Sequence, residues 1–186
     1  MPAIPPPETP RAGMILAASP GLTDPNFARS LVYLVSAGPD GALGFVVNRP
    51  LGLPLEKLPL ARDLPDPLPQ MTAHFGGPVR VEGLSFALFQ AGATEQEVSC
   101  ELVEEPARLL PSFGRPGHWP KAFMGYAGWG EGQLEAELAR DDWKLCPPSP
   151  ALFELPSPGA MWEAFVGPDQ RWRSFWRRLP AHPERN

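Results

Sequence analysis

Three histidines, two cysteines and a few serines are the residues from which this chain could build nucleophilic or acid–base chemistry. Serine or cysteine catalysis needs a general base within hydrogen-bond reach, itself oriented by a third group. Ser30, Ser85, Cys100 and Cys146 sit in no GxSxG elbow and beside no local base signature. His74 precedes Phe75-Gly76-Gly77 and so borders a loop, while His182 falls in the C-terminal tail. A histidine without a positioned partner reads as a structural or surface residue. The carboxylate pairs Glu104/Glu105 and Asp141/Asp142 are adjacent, which turns the two side chains of each pair to different faces of a helix or strand. No catalytic residue follows from these patterns, and no cofactor. Nor is a metal expected, because Cys100 and Cys146 form no CxxC and no histidine spacing completes a tetrahedral site.

Groups that could bind are easier to find. Arg29 and Asn48-Arg49 stand at the ends of strands expected to pair, and they should converge near Gly76-Gly77-Pro78 at one sheet edge. Arg29 could hold an anion or a carboxylate ligand. The simpler account is a structural ion pair with Asp24, Asp40 or Glu135. Gly125-Tyr126-Ala127-Gly128-Trp129-Gly130 joins a strand to a helix, so its backbone turns sharply or approaches something closely. Helix N–H groups there could hold an anion, but Glu131 and Glu135 would repel it. The segment also lacks both GxGxxG order and the GxxxxGK[ST] lysine. A structural turn is the favoured reading, with Tyr126 and Trp129 lining a pocket or, more simply, joining the core. The candidate ligand or partner surface therefore comprises Arg29, Asn48, Arg49, Gly76, Gly77, Tyr126, Trp129 and Gln133.

The elements that must position these residues are short. At 186 residues the chain supports one hydrophobic core. Its 27 prolines are spread along the length and rule out long helices outside a few windows. Met14–Ala18 and Ser30–Ser36 read as strands, and Gly38-Pro39-Asp40-Gly41 turns the second into Ala42–Asn48 as a β-hairpin. Leu53–Leu58 supplies one helical turn before a loop through Gln70. Residues 73–75 and 84–90 read as a second strand pair, the stretch 106–110 as a short helix and 122–127 as a strand. Residues 132–143 are amphipathic with Leu134 and Leu138 on one face, a helix. Residues 143–146 and 151–155 return to the sheet, and a tryptophan-rich helix over about 159–179 closes the domain.

A net charge of -5 disfavours nucleic acid and anionic membranes as partners of the whole surface. Arg171, Arg173, Arg177 and Arg178 lie among Trp172, Phe175 and Trp176, the pattern of a helix with an aromatic core face and arginines in water. No signal-peptide core and no apolar run near the ~18 residues of a membrane span are present, so a soluble cytoplasmic protein with two reduced cysteines is expected.

Four segments taken together carry a family resemblance: Pro25–Tyr33 (PNFARSLVY), Gly44–Pro50 (GFVVNRP), Phe75–Pro78 (FGGP) and Gly125–Glu137 (GYAGWGEGQLEAE). In this order and spacing, with Asp142-Trp143, Phe153 and the closing Trp/Arg-rich segment, the chain resembles the bacterial YqgE/AlgH family over roughly residues 13–180. The proline-rich arm of residues 1–12, the short loop between Val79 and Gly83 and the extra prolines over 147–158 depart from it. The resemblance implies an α+β fold, a single domain of a mixed, strongly curved, barrel-like sheet with peripheral helices, followed by a frayed tail over 181–186. It brings no catalytic residues and no cofactor. The leading expectation is a non-enzymatic binding or regulatory protein that engages a small ligand or a protein partner. An enzyme of hydrolase or transferase type with dispersed residues is the alternative. A transcriptional regulator, the label often given to the family, is a third reading that the acidic charge and the lack of a helix-turn-helix signature oppose.

Overall fold

The computed structural model describes residues 9–94, 97–155 and 157–166. Where both faces of a strand are covered, its sequence is a continuous apolar run rather than an alternation. Strand β1 (Ile15–Ala18) is buried at every position, and so are the first four residues of β2 (Leu31–Gly38). Gly38 and Gly41 then close the expected hairpin with β3 (Gly41–Val46), and the register shifts between Leu34 and Ser36. The remaining strands are β4 (Pro50–Pro54), β5 (Thr72–Phe75), β6 (Val79–Ala91), β7 (Val98–Val103), β8 (His118–Trp129) and β9 (Trp143–Cys146).

All nine strands of the described residues join one sheet, ordered β4-β5-β8-β3-β2-β1-β9, with β6 pairing β8 and β7 pairing β6. The pairing of β5 with β8 is parallel and the others are antiparallel, so the sheet is mixed and strongly curved, as expected. Register shifts in β2/β3, β4/β5 and β6/β8 bend the strands where they occur. Helices α1 (Gln133–Ala139) and α2 (Pro158–Val166) are peripheral.

Several local expectations change. Residues 73–75 and 84–90 do not pair with each other, because β8 lies between them and takes β5 on one edge and β6 on the other. Residues 151–155 form a 3₁₀ turn (Pro150–Glu154) instead of a strand, since Pro147, Pro148 and Pro150 withhold the donors a ladder needs. The turn predicted over 53–58 shrinks to Leu55–Lys57, and the residues before it form β4. Helix α1 stops at Ala139, where Asp141 takes φ 58° and lets the chain enter β9. The expected arm is described only from residue 9, and the closing helix beyond 166, with His182 and the tail, lies outside the described residues.

Alternate residues of the central strands feed two cores. Tyr33, Phe45, Phe89 and Phe123 face one way with the 3₁₀ turn and α2 packed over them, and Phe45 stacks on Phe123 at 4.5 Å. Val32, Leu34, Val46 and Ala127 face the other way toward Leu134 of α1 and Trp143. A third cluster fills the space beneath β5, β6 and the turns around Leu55, Leu68 and Leu109.

Candidate functional site

The loop Asp24–Ser30 leads into β2, and its backbone carbonyls need donors. Asn48 and Arg49 supply them. Buried Asn48, 3% exposed, accepts the Leu31 N–H on Oδ1 at 2.8 Å, and its Nδ2 donates to the carbonyls of Arg29 at 3.0 Å and Pro158 at 3.2 Å. The Arg49 guanidinium donates to the carbonyls of Pro25, Asn26 and Ala28 at 2.9, 2.6 and 2.8 Å and lies 5.8 Å from the centroid of the Phe75 ring. Desolvation lowers its pKa, partly offset by Asp24. Asn48 and Arg49 thus meet at the loop that carries Arg29, and what they grip is its backbone.

Arg29 has φ 59°, a left-handed conformation uncommon outside glycine. Its guanidinium, in a side chain 60% exposed, reaches Glu163 Oε1 at 2.9 Å and packs 4.8 Å from the Trp162 ring centroid. The ion pair is with α2 rather than with Asp24, Asp40 or Glu135. No local sequence pattern could indicate a partner 134 residues away.

Phe27 of the same loop stacks on Trp129 at 6.3 Å and meets Trp143 edge-on at 5.4 Å. Trp129 is core, 6% exposed. Both indole N–H groups, of Trp129 and Trp143, donate to Glu137 Oε2 at 2.8 Å, and Gln133 Nε2 donates to Oε1 at 2.9 Å. Gln133 Oε1 accepts the Gly130 N–H at 3.1 Å. Residues 125–129, expected as a turn, are instead the end of strand β8, and where that strand gives way to α1 the Gly130 N–H already has a side chain on a donor that an anion would have used.

Gly76 and Gly77 answer to backbone packing. A Cβ on Gly76 would overlap the Gly125 carbonyl, and one on Gly77, at φ 150°, would overlap the Tyr126 backbone. The Phe75 N–H donates to the Arg49 carbonyl, and the Val46 N–H to that of Gly76, which ties these glycines to the Arg49 side of the group. Tyr126 is half-buried against the main core. Two surface depressions, of about 410 and 340 Å³, lie elsewhere, around Glu56–Pro69 and Leu102–Arg108.

Of the remaining nucleophile candidates Ser30 and Cys146 are buried and Ser85 and Cys100 partly so. Ser30 is fully buried, and burial pushes the Cys100 thiol up to about 12. The described residues contain no group of three His, Cys, Asp or Glu side chains able to hold a metal ion. Sequence reasoning missed one half-buried pair: Lys121 Nζ is 3.3 Å from His74 Nε2. The available signal was a lysine at an alternate position between Trp119 and Phe123, in a strand whose apolar face should be buried.

A mixed half-open sheet with three apolar clusters and a pinned loop before its second strand defines an α+β protein class. The chain belongs to the AlgH-like family (DUF179), whose model matches residues 15–182. It is 41% identical over 155 residues to a UPF0301 protein of Stutzerimonas stutzeri, covering 76% of this chain and 79% of that one. It is 39% identical over 153 residues to the UPF0301 protein AlgH of Pseudomonas aeruginosa, with the same coverage. The solution structure of Pseudomonas aeruginosa AlgH superposes with a TM-score of 0.64 at 31% identity, covering 94% of this chain and 98% of that one. A crystal structure of a Corynebacterium diphtheriae protein shares the fold with a TM-score of 0.59 at 21% identity, over 94% of this chain and 90% of that one. Among the described residues no helix is long and apolar enough to cross a membrane.

Proposed function

We infer that this chain is a non-enzymatic binding or regulatory protein of the cytoplasm, engaging a small ligand or a protein partner through Arg29 and the loop around it. The observation that supports this is the conformation of Arg29. A non-glycine residue held left-handed is strained by roughly 1–2 kcal/mol, and such strain persists where neighbours over-determine it. Here Asn48 grips the Arg29 carbonyl and Arg49 the Ala28 carbonyl just before it. The result is a guanidinium fixed at an open surface with an indole face beneath it. That fork suits a planar carboxylate, and a carboxylate of the partner would take the place of Glu163. The open setting, away from both depressions, favours a protein partner over an enclosed small molecule.

Arg29→Ala is the informative variant. An exposed ion pair contributes less than about 1 kcal/mol, so the fold survives its removal. Protein purified from cells is compared by native and denaturing mass spectrometry. The wild-type chain is expected to carry a dissociable mass that Arg29→Ala lacks, and identical masses for the two would sink this reading.

A further inference from the structure

Of the three lysines in the chain, Lys57 and Lys144 are exposed and Lys121 is partly buried. Lys121 lies on the face of β8 that carries Trp119 and Phe123, opposite Ala87 of β6, so its stem enters the main core. Its Nζ stands 5.9 Å from the centroid of the Phe153 ring. His74 is held in one tautomer: Nδ1 lies 3.1 Å from the Thr72 carbonyl, which can only accept, so Nδ1 carries the hydrogen and Nε2 accepts from Lys121. Among the described residues no carboxylate is within ion-pair distance of Nζ. An ammonium there has a neutral ring nitrogen and an aromatic face where it would otherwise have water or a counter-charge.

We propose that Lys121 is a covalent capture site for small aldehydes with an apolar body, its amine forming an imine while His74 Nε2 holds that amine in position. The Nζ lone pair attacks the carbonyl carbon and the C=O π pair moves to oxygen. The resulting carbinolamine expels that oxygen as water together with the two Nζ hydrogens, leaving one C=N bond, and nothing is oxidised or reduced. Trp119 and Phe153, stacked at 4.9 Å, give the apolar part of the aldehyde a surface to lie on. The electrostatics agree with the geometry: burial lowers Lys121 to about 8, and burial followed by the charge of Lys121 lowers His74 to about 4. The amine is then available near neutral pH, when an ordinary lysine is almost wholly protonated.

The test treats the folded full-length chain with benzaldehyde and cyanoborohydride across pH 6 to 11 and maps the reduced adducts by peptide mass spectrometry. Lys121 is expected to react at least about tenfold faster than Lys57 and Lys144 at neutral pH, because two units of pKa change the free-amine fraction by about a hundredfold there. Its rate should level off just above pH 8, and Lys121→Arg should remove the fast adduct while leaving the other two rates unchanged. His74→Phe, which removes the acceptor, should slow Lys121 severalfold with the fold intact by circular dichroism. Lys121 reacting no faster than the exposed lysines, a rate still climbing toward pH 10, or a fast lysine adduct that survives Lys121→Arg overturns the proposal.

Discussion

Two cations in this molecule, Arg49 and Lys121, are both drawn into the protein, and they meet opposite surroundings. Arg49 finds three backbone carbonyls placed for its planar fork and an aromatic ring beneath it. Lys121 finds one neutral imidazole nitrogen and an aromatic ring. The difference teaches that acceptors, more than depth, decide whether a buried charge serves as a fastener or stays poised for chemistry. Burial lowers the pKa of both, but the guanidinium stays charged and fixes its neighbours, whereas the under-supplied amine falls to about 8.

The comparison breaks most visibly at Asn48, the buried residue that completes the Arg49 side. Asn48→Ala deletes hydrogen bonds to Leu31, Arg29 and Pro158, leaving the buried Leu31 N–H unpaired and the part-buried Arg29 and Pro158 carbonyls without their donor. It is expected to destabilise by about 3–4 kcal/mol in chemical denaturation, and a loss under 1 kcal/mol would show that water replaces the amide. Next is Arg49→Lys, which keeps the charge and loses the fork. It should lose about 1–2 kcal/mol, together with faster amide exchange at residues 26–30.

The smallest effect has the opposite sign. Lys121→Met, isosteric in its stem, is expected to stabilise the protein at pH 7 by about 1 kcal/mol, or roughly 2–4 °C in Tm for a chain of this size. The folded pKa of Lys121 lies below the ordinary value, so between about pH 8 and 10 the unfolded chain holds more protons and wild-type stability rises with pH. The advantage of Lys121→Met should accordingly vanish by about pH 11. His74 acts in the same sense at lower pH, removing stability as pH falls from about 6.5 to 4. A Tm difference that does not depend on pH would erase the contrast between the two cations.

The hairpin of β2 and β3 was legible because β-branched and aromatic runs flank Pro39-Asp40-Gly41, a signal contained within 20 residues. The second strand pair was misread because β8, some 30 residues later, inserts between its members, and no local pattern encodes such an insertion. Strand β7 was missed because Glu101 and Leu102, both exposed near the sheet margin, interrupt the apolar alternation. The clustering of Arg29, Asn48 and Arg49 could be anticipated, since hairpin register alone brings those positions together. That Trp129 and Gln133 are linked to them through Phe27 could not be, because the link depends on how a loop folds back over the sheet. The Lys121–His74 contact needed the parallel β5–β8 register, in which His74 lies opposite Phe123.

That same strand has a consequence for how the protein is made. Residues 118–129 pair with β6 along most of their length, with β5 over Ala122–Met124 and with β3 over Ala127–Trp129. A nascent chain emerging from the ribosome exposes the matching margins of β3, β5 and β6 until residue 129 has left the exit tunnel. Only then can one late segment seal all three, closing loops of some 30 to 80 residues at once. The interval is a window for association with other chains through those open margins, and its length is set by the distance along the polypeptide between the end of β3 at Val46 and Trp129.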